Sequence, residues 1–239
     1  MLDVHPPHEA AHSWKDFFIH IATIVIGLLI AVGLEQTVEA IHHREQRTQL
    51  LEDLRQEAEV RIREIDNNNR VHEAEEKWYR DTLQEALKAE PVGGFVTFVV
   101  PAAPPPGDDP KPECAVWDAA KASGLVSVLR RGEIEAWNRD NLFAELTQKR
   151  VEAWNADSRA LRATADHLGV VLQPGETIHV PLSGRDELTR ALGNEIEDAH
   201  SVIQGDTDNA GSSDALLHDA QTAEQMAPYI RAAHQALTK

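Results

Sequence analysis

The sequence predicts a mainly α fold: one N-terminal transmembrane helix continuing into a long juxtamembrane helix, then a helical bundle with at most one small two-stranded β element. Three observations lead there. Phe17 to Leu34, FFIHIATIVIGLLIAVGL, runs for eighteen residues without Asp, Glu, Lys or Arg. Leu34 to Lys88 then holds neither Pro nor Gly and is rich in Glu, Gln, Arg, Ala and Leu, the composition of a strong helix former. Beyond Pro91, further apolar residues recur at steps of three and four, with only two short stretches of strand composition.

Residues 1–16 read as a short polar tail. Pro6-Pro7 keep it extended, and His5, His8 and His12 lie in it without a carboxylate partner at fixed geometry, so no metal is assigned there. Residues 17–34 are the transmembrane helix. At 1.5 Å per residue they span about 27 Å, close to a hydrocarbon core of about 30 Å. Trp14 and Lys15 stand as aromatic and basic anchors at its start. A signal peptide would need a basic n-region and a small-x-small cleavage site. Met1 to Ser13 has no Lys or Arg, and charged LEQTVEAIHHR follows the apolar run. A soluble core helix would keep a polar stripe, whereas Thr23 is the one polar residue between Ile21 and Leu34. Thr23, Gly27 and Ala31 recur every four residues and form a packing face through which a second helix can approach closely. The expected partners are the lipid bilayer and a second copy of the chain, as a homo-oligomer through this helix.

Residues 35–90 are the long juxtamembrane helix. Leu34, Val38, Ile41, Leu51, Leu54, Ala58, Ile62 and Ile65 form a coiled-coil-like seam that lapses at HHREQRTQ. A bend is expected near Asn67, Asn68 and Asn69. His42 and His43 point about 100° apart and cannot share one ion well, so they read as a polar collar beside the membrane.

Residues 91–112 are a strand and a Pro-rich loop. Pro91-Val-Gly-Gly ends the long helix, and Phe95 to Val100 has strand composition. Residues 113–204 form a helical domain. ECAVWDAAKA restarts a helix, and Gly124 stops it in the left-handed conformation. The short apolar segment LVSVL precedes a long helix from Arg131 to Leu168. EAWNRD (135–140) and EAWNAD (152–157) differ in direction by about 100° around that helix, so the match carries no repeat. Thr177 to Val180 is a second strand able to pair with the first. Ser183 is the expected N-cap of a helix from Arg185 to Gln204. GDTDNAGSSD reads as a polar loop over 205–213, followed by a C-terminal helix over 214–239 that Pro228 kinks or interrupts. Trp78, Trp117, Trp137 and Trp154 stand at helical spacings and read as core.

Composition narrows the function. The chain of 239 residues carries −17, and the part beyond residue 34 carries −15. That balance argues against nucleic acid as a partner, and leaves the apolar helix to hold the domain at an anionic bilayer. Cys114 is the single cysteine, which rules out an internal disulfide or a multi-cysteine metal site. Lys15 and the terminal amine precede the span while Arg44 and Arg47 follow it, so the charges do not assign a side to the domain.

One metal constellation deserves a count. Asp206, Asp208 and Asp214 fall on positions one, three and nine of a calcium loop with Gly211 nearby, but Ala210 and Leu217 occupy ligand positions five and twelve. Loops of Gly, Asp and Ser arise from turn chemistry alone, and neither a metal nor any cofactor is expected. No catalytic residue is assigned, for no G-x-S-x-G, H-E-x-x-H or P-loop occurs.

The segments HSWKDFFIHIATIVIGLLIAVGLEQTVEAIHHR and WDAAKASGL (117–125) resemble a group of uncharacterised bacterial single-span membrane proteins with a helical soluble domain. The resemblance implies a single-pass protein of the inner (cytoplasmic) membrane and transfers no catalytic residue. The leading functional expectation is a membrane-anchored helical scaffold or protein-interaction module. The alternatives are a signalling or accessory subunit of a membrane complex and, third, an enzyme with a site built from dispersed carboxylates and histidines.

Overall fold

The structure, a computed structural model of the chain, describes residues 14–103 and 114–237. It divides into two compact units, Met1–Gln49 and Leu50–Lys239. Among the described residues there are five α-helices and one two-stranded sheet, the mainly α class that the composition dictates. The His-bearing tail and most of the Pro-rich loop lie outside the described residues.

The first helix, α1, runs unbroken from Trp14 to Lys88. It starts inside the expected tail, with Asp16 in its first turn, where a carboxylate complements the helix dipole. In the first unit α1 holds the apolar run, and this is the one stretch among the described residues long and apolar enough to cross a membrane. None of that run is buried: Ile24, Leu29 and Ile30 are 65–70% exposed. Thr23 donates its Oγ1–H to its own helix at Ile19 O, 2.9 Å away, so the hydroxyl needs no external acceptor.

In the second unit the remainder of α1 packs with α2 (Ala115–Ser123), α3 (Arg131–His167), α4 (Arg185–Leu217) and α5 (Ala223–Leu237). Its core falls into two main apolar clusters. The first joins Leu50, Leu54 and Ala58 of α1 to Trp117 of α2, Trp137 of α3, Leu216 of α4 and Met226 of α5. The second surrounds the sheet. Strand β1 (Phe95–Val99) pairs antiparallel with β2 (Thr177–Pro181), Val96 opposite Val180 and Phe98 opposite Ile178. Alternation puts those four side chains inward, against Leu161 and Ala165 of α3 and Leu188 and Leu192 of α4. Fully burying each such aliphatic chain contributes about 1.5–3 kcal/mol.

The local stops follow their residues. Gly124 ends α2 at φ 76°, as its lack of a Cβ permits. LVSV (125–128) is a 3₁₀ turn. At the start of α3, the Glu133 carboxylate accepts the Arg130 backbone N–H at 2.8 Å. Ser183 is not the N-cap of α4; it lies in a 3₁₀ turn over Leu182–Gly184, and Gly184 precedes the helix without a side-chain cap. Pro228 sits inside α5 without dividing it.

The largest correction concerns 205–213, expected as a polar loop. It belongs to the C-terminal part of α4, which continues to Leu217, so the last helix begins at Ala223 and not at 214. Gly205, Gly211, Ser212 and Ser213 are buried there. A Cβ on Gly211 would lie 2.6 Å from Ile230 Cα, and one on Gly205 would lie 2.6 Å from Arg150 Nη1. The small residues let α5 and the α3 side chains approach the α4 backbone, and that packing outweighs a loss of helix propensity of about 1 kcal/mol for each glycine. Thr207 returns its hydroxyl to Ile203 O at 2.7 Å within the helix.

Candidate functional site

Between the apolar ends of the bundle, polar side chains turn inward from three helices. Arg61, Asn68, Asn69 and His72 are buried on α1, Asp140, Asn141 and Thr147 on α3, and Asp206, Thr207, Asn209, Ser212 and Ser213 on α4. The signal for it on α1 is a basic residue in step with the seam, since Leu50, Leu54, Ala58, Arg61 and Ile65 share one buried face. Ile62, expected on that seam, is only partly buried.

Arg61 is the centre of this layer. Its Nη1 donates to Asp140 Oδ2 and lies 3.4 Å from Ser213 Oγ, while Ser213 Oγ–H donates to Asp140 Oδ1 at 3.0 Å. Arg61 Nη2 is 3.7 Å from Glu57 Oε2. Glu57 Oε1 in turn accepts the Val116 backbone N–H at 3.0 Å, so a carboxylate from α1 serves the open N-terminal amides of α2. One network thus links α1, α2, α3 and α4. Burial pushes the Asp140 carboxyl up, while the Arg61 charge and the Ser213 hydroxyl pull against it. Burial likewise pushes Glu57 up, against its bonds to the α2 backbone and the charge of Arg61.

A second polar group lies further along α3 and α4. Glu195, fully buried, accepts the Trp154 indole N–H at 2.7 Å and the Ser158 hydroxyl at 3.0 Å on one oxygen, Oε2. The Tyr79 hydroxyl of α1 faces the same carboxylate. Burial raises Glu195 and these three donors oppose the rise. The His72 ring meets Trp154 edge-on at 5.0 Å, and His72 Nε2 is 4.0 Å from Asp206 Oδ2. One turn beyond Glu195, burial and the neighbouring Asp157 carboxyl push Asp198 up to about 6. A 410 Å³ cavity lined by Trp78, Tyr79, Ser158 and Leu161 adjoins this group.

Chemically, these arrangements order helices. The buried ion pair is hydrogen-bonded on both partners, the condition under which such a pair survives desolvation and fixes one packing register. The Cys114 thiol, half-buried beside the ion pair, is pushed up to about 11 by burial despite the nearby Arg61 charge, far from the thiolate that nucleophilic chemistry requires.

The three aspartates of the calcium-loop count do not converge. All three stand on helical α4, where Asp206 and Asp208 point about 200° apart. Asp206 is buried toward His72, Asp208 Oδ1 lies 2.8 Å from His234 Nε2 of α5, and Asp214 Oδ1 lies 3.4 Å from His218. Among the described residues no three His, Cys, Asp or Glu side chains form a metal-binding group. Thr23, Gly27 and Ala31 share one exposed face of α1, and nothing stands within 4 Å of a Cβ built on Gly27. Trp117, Trp137 and Trp154 are core as expected, and half-buried Trp78 donates its indole N–H to Pro101 O at 2.9 Å.

No protein family, curated protein or solved structure matches this chain.

Proposed function

We propose that the chain is a membrane-anchored helical scaffold or protein-interaction module, held by a single pass of Phe17–Leu34 in the inner (cytoplasmic) membrane. The observation that carries this reading is α1 itself. One helix bears a fully exposed apolar run sized for a bilayer and, further along, a face buried in a folded bundle. An exposed apolar run of that length supports burial in hydrocarbon over exposure to water. The assignment to the inner membrane rests on the resemblance to bacterial single-span proteins.

Self-association through Thr23, Gly27 and Ala31 belongs to the same proposal, since small residues on one face permit close backbone contact in lipid. Sedimentation of the full chain in mild detergent tests it. A dimer or larger species that Gly27→Leu shifts toward monomer is the expected result. A strictly monomeric wild type contradicts self-association.

A second reading, a signalling or accessory subunit of a membrane complex, is favoured by the position of Arg61 on α1. The helix that bears the apolar run also bears the charge at the centre of the bundle's buried network. Displacing α1 along its axis would strain that network. A flexible insertion near Glu45 abolishes function under this reading while the bundle stays folded; retained function would count against it.

A further inference from the structure

The two strands of the sheet leave unequal edges. Leu182 N–H donates to Gly94 O at 2.9 Å, and Val100 N–H donates to Glu176 O at 2.9 Å. With Val96 opposite Val180, the hydrogen-bonded pairs of the ladder therefore fall at Val96 and Phe98. Phe95, Thr97 and Val99 turn their backbone N–H and C=O away from β2. Phe95 exchanges both with Val92 across the Gly93-Gly94 turn, at 3.1 and 2.8 Å. Among the described residues nothing bonds those of Thr97 and Val99. The same alternation leaves Thr177, His179 and Pro181 outward on β2, and Pro181 has no N–H to offer. β1 carries none of the devices that blunt an edge. FVTFV holds no charge and no proline, and Phe95 and Val99 are 46% and 53% exposed on its outer face.

We propose that the free edge of β1 receives β1 of a second copy of the chain, antiparallel and centred on Phe98. In that register Thr97 of each chain faces Val99 of the other as a hydrogen-bonded pair, so every open group on both edges finds a partner. Centred on Thr97 instead, Val99 would face Phe95, whose groups Val92 already holds. Outward N–H and C=O groups at alternate residues are matched by an extended strand. The small size of the patch selects a second copy as the source of that strand. Pairing strands this short buries far less than the roughly 1,200 Å² that a stable complex between free molecules needs. The partner strand must therefore be held nearby by other means. The anchoring proposed above confines copies to one membrane at high effective concentration, and this inference rests on it. Because the strand is uncharged, pairing sets no acid of the −17 chain directly opposite another.

The test uses the full chain in liposomes, with Cys114→Ser as background and Thr97→Cys and Val99→Cys in separately tagged copies. In the proposed register the two different cysteines oppose each other with Cα atoms about 5.5 Å apart, within reach of a disulfide. Two copies of the same cysteine are offset along the strands and lie about 8–9 Å apart, beyond that reach. Mild oxidation should therefore give mixed-tag dimers in about tenfold excess over like-tag dimers. Adding Thr97→Pro to the Val99→Cys chain removes one outward N–H without touching the β1–β2 ladder. The mixed yield should then fall about fivefold. If that variant loses its circular dichroism, the cysteine pairs alone decide. Carbonate extraction of the same liposomes separates this proposal from the anchoring. Chain that stays in the pellet with no mixed-tag dimers, or with mixed and like dimers in equal yield, overturns the pairing and leaves the anchor standing. That is also the result if the edge takes a strand from another protein. Chain released by carbonate overturns the anchor, and the pairing falls with it.

Discussion

Arg61 of α1 and Asp140 of α3 meet as an ion pair in the interior of the bundle, 2% and 1% exposed, with Ser213 of α4 hydrogen-bonded to the same carboxylate. Two charges withdrawn from water are tolerated only as long as each keeps the other.

Removing one partner therefore strands the second. Asp140→Ala is expected to lower unfolding stability by about 3–5 kcal/mol. The combined Arg61→Met and Asp140→Leu variant should recover most of that loss, because no buried charge remains. Denaturant unfolding of the wild type, the single variants Arg61→Met and Asp140→Leu, and the double variant gives the coupling directly. A loss below about 1 kcal/mol for Asp140→Ala would show a pair that water reaches.

Two glycines of α4 should respond in opposite directions to the same substitution. Gly211→Ala places a methyl 2.6 Å from the Ile230 backbone, where no side chain can yield, and should destabilise by about 1–3 kcal/mol. Gly193→Ala meets nothing within 4 Å and should stabilise by about 0.5–1 kcal/mol through helix propensity. Melting temperatures of the two variants side by side settle the matter, and equal shifts would mean that α5 does not press on α4.

Asp198 carries a pH dependence of definite sign. Burial, and after it the Asp157 carboxyl, raise it from 3.8 to about 6, with Glu195 and Glu197 adding like charge. Between those values the folded chain holds a proton that the unfolded chain has released. Its contribution to stability is complete below about pH 4 and is lost as the pH rises through about 6. Asp198→Asn should accordingly raise the melting temperature more at pH 8 than at pH 4. The same gain at both values would contradict the assignment.

Cys114 should label slowly. Its thiol is pushed from an ordinary value of 9.0 up to about 11, which lowers the thiolate fraction at neutral pH about a hundredfold. Maleimide reaction of the folded chain should be slower by that order than reaction of the urea-unfolded chain. Equal rates would place the thiol in open water.

Much of this architecture is legible in the residues because it rests on local rules. The uncharged run of 17–34, the Gly- and Pro-free stretch that follows, the left-handed Gly124 and the alternating strands 95–99 and 177–181 each announce their conformation. The segment 205–213 does not. Gly, Asp, Asn and Ser favour turns in isolation, and only the closeness of Ile230 and Arg150 explains why a helix there needs small residues. The polar layer was half visible. Arg61 falls in step with Leu54, Ala58 and Ile65, but nothing in one sequence shows that Asp140, 79 positions away, is its partner.

The most direct measurement of the central claim is alkaline carbonate extraction of membranes carrying the full chain, beside a variant lacking residues 1–34. An anchored protein stays in the pellet at high pH and leaves it only with detergent, and the truncated variant appears in the supernatant. Release of the intact chain by carbonate alone would mean that Phe17–Leu34 does not span the bilayer, and the anchored-module reading would fall with it.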